Sequence, residues 1–126
     1  MPGLIPHLIA SSAMFIIGRY YFRDYFDGGE KVKERILLAV VCVSFSLITP
    51  DILLIVYYTT HLFSFEAILP DHELVHIMLW PIAIAALLII KYGIKTKREP
   101  IWIMGFWSII LHLIMDLFIG ESGIWF

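Results

Sequence analysis

Along the 126-residue chain, long apolar runs alternate with short clusters of charge, and four runs dominate: Leu4 to Tyr21, Ile36 to Thr49 with an apolar continuation to about Phe65, Val75 to Tyr92, and Ile101 to Ile119. A helix crossing the hydrocarbon core of a bilayer needs about 20 apolar residues, with a lower limit near 17. These runs therefore predict membrane helices, some at the short end of that range. Pro50, Pro70 and Pro100 punctuate the pattern, because proline lacks the N–H that continues a helix. The expected elements are helices over about residues 4–22, 35–50, 72–92 and 100–119, with residues 52–69 lying along or dipping into the outer interface. The stretch from Ile36 to Phe65 is too long for one perpendicular helix; a long tilted helix kinked at Pro50 is the alternative. The fold class this predicts is all-α, an integral membrane four-helix bundle forming a single domain over residues 1–126.

Composition agrees with the pattern. Hydrophobic residues make up 60% of the chain and the mean hydropathy is +0.87, well above the norm for soluble domains. Arg19 and Arg23 follow the first apolar run instead of preceding it, so that run reads as a helix and not as a signal peptide. The net charge of −2 says little, whereas the placement of charge says more. All nine basic residues fall in two places, around the first connection (Arg19, Arg23, Lys31, Lys33, Arg35) and the third (Lys91, Lys95, Lys97, Arg98). The connection from Asp51 to Asp71 has none. The positive-inside tendency then predicts a multi-pass protein of the cell membrane, with both basic connections cytoplasmic and both termini extracytoplasmic. On this reading the basic residues set topology and no nucleic acid is a partner. The single cysteine, Cys42, lies mid-helix, which excludes an intrachain disulfide and favours a packing role.

Ionisable side chains inside a membrane are costly and usually mark a site facing the protein interior. Counting from the basic or polar boundary of each helix, His7, Asp51, His76, His112 and Asp116 lie at depths of about 18 to 24 Å, taking ~1.5 Å per residue. Four separate segments thus place polar groups in one layer within the outer leaflet. His112 and Asp116 are four apart, as are His72 and His76 in "DHELVHIM", so each pair shares one helical face. Imidazole nitrogens and carboxylate oxygens suit divalent metals, zinc first, with manganese or iron as alternatives. Simpler readings exist at each position. Asp51 after Pro50 can cap the next helix, His112 with Asp116 can be a hydrogen bond between turns, and His61 and Glu121 can be solvated. The shared depth, and the lack of histidine on the basic side, weigh against independent bland placements.

The motifs "PHLIA", "TPDIL", "HELVHIM" and "LHLIMDLFIGESG", in this order, resemble the YdjM-like membrane-bound metal-dependent hydrolases. That family shows an N-terminal His, a P-D-x-D-H segment, an H-R-G-x-T-H segment and a final H-x-x-x-D leading into a Gly-containing tail. The resemblance covers the chain in order and implies metal ligation by His7, Asp51, His76, His112 and Asp116. For the chemistry itself, a general acid or base near the rim is expected among His72, Glu73 and Asp71. Two departures stand out: "PDILL" has Leu53 and Leu54 where the family has a second carboxylate and a histidine, and the third motif spaces its histidines by four instead of five. The expected activity is hydrolysis of a lipid or lipid-linked ester or phosphoester from the extracytoplasmic leaflet, with membrane lipid as partner and a homo-oligomer left open. The competing classes are a non-enzymatic protein with a structural metal or polar layer and, third, an ion or proton pathway.

Overall fold

A computed structural model describes residues 4–119, and no strand occurs among them. The chain runs through α1 (Leu4–Tyr21), a short α2 (Arg23–Phe26), a 3-10 turn (Gly29–Lys31) and α3 (Val32–Val43), which continues as a π-helical turn (Ser44–Ile48). Then follow α4 (Ile52–Thr60), α5 (Phe65–Leu88) with its own π-helical turn (Ile89–Gly93), and α6 (Glu99–Ile119). Phe65–Gly93 and Glu99–Phe118 are each long and apolar enough to cross a membrane, and Gly29–Ile48 with Ile52–Thr60 makes a third span if the bent pair counts as one.

The bend is local chemistry. Pro50 has no N–H to continue the helix, and the preceding turn widens so that Thr49 N donates to Ser44 O, five residues back. Proline and π-bulges are two recognised causes of a sharp kink; here they coincide, and the axes on either side differ by 74°. Pro50 is buried, and Asp51 sits at the corner. Helix α4 ends at His61, which takes the left-handed conformation (φ 51°) while its N–H reaches Tyr57 O.

Two boundaries differ from the sequence expectation. Residues 52–69 are not one interfacial segment: 52–60 form α4, and the third long helix starts at Phe65, not at residue 72. The reason is at Ser64, whose side chain accepts from Ala67 N and caps the helix. Pro70 and Pro81 then lie inside α5, each removing a hydrogen bond without ending it. Helix α3 also begins earlier than residue 35, directly after the 3-10 turn.

Helices α1, α3 and α6 pack mutually, and α5 lies against α6 and α4. Only 6% of the apolar window in Phe65–Gly93 is covered by protein, against 44% in α6, so α6 is the central helix and α5 its outer neighbour. One core cluster holds Met14, Phe26, Leu38, Val41, Cys42, Ile101 and Met104; a second joins Ala83 to Ile109, Ile110 and Leu113. Cys42 is thus a buried packing residue. Gly105 permits a close approach of α6 to α3, because an added Cβ would fall 2.6 Å from Val41 Cγ1 and 2.9 Å from Phe45 Cδ2. Arg98 meets Glu34 at 3.4 Å, which puts both basic connections at the same end of the molecule.

Candidate metal centre

At the other end, α1, the Pro50 corner, α5 and α6 each contribute to one cluster of histidine and aspartate. From α6, His112 and Asp116 share a face, and Asp116 Oδ2 lies 3.0 Å from His112 Nε2 and 2.8 Å from His76 Nε2 of α5. The two Nε2 atoms are 3.4 Å apart. Asp51 Oδ1 lies 3.8 Å from each of them and 3.7 Å from His72 Nε2. From α1, His7 Nε2 is 3.8 Å from Asp116 Oδ1. His7, His72 and His112 are buried, whereas Asp51, His76 and Asp116 keep side-chain exposures of 21%, 16% and 19%, so one edge of the cluster is open. Four stretches remote in sequence meet here because the 74° bend turns Asp51 inward and the central α6 faces α1, α3 and α5.

The hydrogen bonds carry chemical information. His76 Nδ1 is 2.9 Å from the His72 carbonyl oxygen, so Nδ1 bears the proton and donates, and a neutral ring then presents a lone pair at Nε2. That lone pair faces a carboxylate oxygen at 2.8 Å. Two lone pairs so close repel unless positive charge, a proton or a metal ion, lies between them. A ligand histidine that gives its other N–H to a backbone carbonyl is the usual second-sphere arrangement of protein metal sites. Tetrahedral coordination with N–metal bonds of ~2.0–2.1 Å sets donor atoms about 3.3 Å apart. The separations of 2.8, 3.0, 3.4 and 3.8 Å among His76, His112, Asp116 and Asp51 bracket that edge. Among the described residues, two groups of side chains have donor atoms close enough to hold an ion: His7, His112 and Asp116, and Asp51, His76 and His112.

Ring orientation separates the two groups. The His7 and His112 rings stack with centroids 4.0 Å apart and planes 16° from parallel. An imidazole nitrogen donates within its ring plane, so an ion in the plane of one stacked ring lies off the plane of the other. His76 and His112 are inclined by 39° and face no such conflict. His7 therefore contacts the cluster through Asp116 and through the face of His112. Its carbonyl accepts from Ser11 Oγ at 2.7 Å.

The residues expected to supply acid or base chemistry divide. His72 is 2% exposed and lies inside the cluster beside Asp51, not at a rim. Asp71 and Glu73 are exposed and, among the described residues, pair with none of the cluster. Helix geometry explains the split: neighbours one position either side of His72 turn about 100° away from the face it shares with His76. His61 is exposed at the end of α4, and Glu121 with the tail "GESGIWF" lies outside the described residues.

Against known proteins, the chain matches no protein-family model, no curated protein and no solved structure.

Proposed function

We propose that the chain is a four-span, divalent-metal-dependent membrane hydrolase, with both termini extracytoplasmic, acting on an ester or phosphoester linkage of a lipid in the extracytoplasmic leaflet. One observation carries the reading: His76, His112, Asp116 and Asp51 converge at 2.8 to 3.8 Å in a site partly open along one edge. The mixed imidazole and carboxylate donor set favours zinc, with manganese or iron next. When bound, such an ion lowers the pKa of a coordinated water and polarises an ester or phosphoryl oxygen. The chain's own residues orient this chemistry. The His72 carbonyl holds the His76 ring, Asp116 offers Oδ2 to two histidines and Oδ1 to His7, and His72 Nε2 faces Asp51 Oδ1 at 3.7 Å. A lipid linkage is the substrate class because the layer, counted along the helices, lies in the outer half of the hydrocarbon core and the cluster is open along one edge.

A second reading is a structural metal that locks the bundle without turnover. Complete burial of His112, and leucines at 53 and 54 where the resembled family carries a carboxylate and a histidine, favour it. Metal analysis of purified protein, followed by mass-spectrometric detection of lipid products from metal-loaded protein, separates the two. The hydrolase reading predicts stoichiometric divalent metal and product release that His76→Ala abolishes. Bound metal with no product from any lipid class leaves the structural reading, and absence of bound metal defeats both.

A further inference from the structure

At the basic end of the bundle, two arginines line one pocket, and among the described residues neither pairs with a carboxylate. Arg19, in the last turn of α1, and Arg35, in α3, face a pocket of about 320 Å³ whose other walls are Phe15, Val32, Ile36 and Ala39. Arg35 is held in place by carbonyls: Nη2 donates to Gly28 O at 2.7 Å and Nε to Lys31 O at 3.4 Å. Arg19 Nε is buried and has no hydrogen-bond partner. Among the described residues neither guanidinium pairs with a carboxylate, since Asp24 meets Arg23 and Glu34 meets Arg98 and Tyr25. A buried donor without an acceptor is costly, and two guanidinium groups beside apolar walls define the ligand that relieves the cost. It carries anionic oxygens matched to a planar fork of donors, which is the geometry of phosphate. It also carries hydrocarbon to cover Phe15, Val32, Ile36 and Ala39. Basic pockets between membrane helices on the positively charged side take lipid headgroups of this kind.

We propose that the α1–α3 pocket binds the phosphate of an anionic phospholipid from the leaflet on the basic side of the membrane, with Arg19 and Arg35 as its donors. This site is independent of the histidine and aspartate cluster and does not rest on hydrolase activity.

The test uses the full chain in detergent with phosphatidylglycerol, phosphatidylcholine or inorganic phosphate added, reading retained lipid by native mass spectrometry and stability by thermal unfolding. Wild type retains phosphatidylglycerol over phosphatidylcholine and gains stability from it. Arg19→Gln lowers that retention about tenfold, and Arg19→Lys falls between the two because an ammonium lacks the planar fork. Lys97→Gln, which removes an exposed charge at the same end, retains the lipid as wild type does. Gel filtration and circular dichroism establish that each variant is folded. Equal retention by wild type and Arg19→Gln overturns the proposal, as does an equal loss in Lys97→Gln, which would reduce the effect to general surface charge. Stabilisation by inorganic phosphate alone, lost in Arg19→Gln and absent with phosphatidylglycerol, makes the site one for soluble phosphate and overturns the lipid assignment.

Discussion

His112 is fully buried, stacked on His7 and directed at His76, Asp116 and Asp51, so the chemistry of the cluster turns on this side chain. Replacing it with alanine removes the one donor common to both candidate groups, and purified His112→Ala should contain no stoichiometric divalent metal. His7 is predicted to behave differently. Because its ring stacks on His112 and meets Asp116, it supports a ligand and does not share the ion. His7→Ala should keep the metal but weaken its affinity by about 10- to 100-fold, the range for outer-sphere partners, measurable by competition with a chelator. A complete loss of metal in His7→Ala would place the ion in the other group. Asp71→Asn and Glu73→Gln, at exposed positions, should leave metal content unchanged.

Single elements make that residue geometry possible. The corner at Pro50 combines a missing N–H with a widened turn, and the 74° bend carries Asp51 into reach of three histidines. Pro50→Ala restores the donor and favours straightening, so it should lower metal affinity while circular dichroism shows helix content undiminished. Gly105 is the second such position. A valine there meets Val41 and Phe45 and forces α6 away from α3, and overpacking of this kind costs about 1–3 kcal/mol. Gly105→Val should lower the unfolding temperature and, by displacing the helix that carries His112 and Asp116, weaken metal binding as well. Small residues at close helix crossings are the usual means by which membrane helices pack tightly.

For the whole molecule, the separation of its two ends matters most. Basic residues occupy one end, tied across the two connections by Arg98, Glu34 and the Tyr25 hydroxyl, which donates to Glu34 Oε2 at 3.1 Å. Burial, then the Glu34 carboxylate, raises the Tyr25 phenol above its ordinary pKa, so it remains a donor there. The exposed Arg98–Glu34 pair contributes little to stability, about 0–1 kcal/mol, and acts mainly to register the connections. The histidine and aspartate cluster occupies the other end. In a Cys42→Ser background, Lys33→Cys and Lys95→Cys should react with a membrane-impermeant maleimide only after the membrane is permeabilised, and Thr60→Cys should react in intact cells. Labelling of all three from one side would contradict the proposed topology.

The helical class, the break at Pro50 and the pairing of His112 with Asp116 and of His72 with His76 are legible in the sequence, because run length, proline and a spacing of four are local properties of one chain segment. The start of α5 was less legible, since the Ser64 cap outweighs the signal from Pro70. Tertiary structure decided the rest. Whether His72 lies inside the cluster or at its rim depends on how α5 is rotated against α6, and the role of His7 depends on a ring stacking set by the packing of α1 on α6. Depth along a helix can be counted from the sequence, whereas the direction of each side chain around its axis is set only when the helices pack. The sequence thus placed the polar groups in one layer, and the packing of α1, α5 and α6 around the bend at Pro50 turned them toward one point.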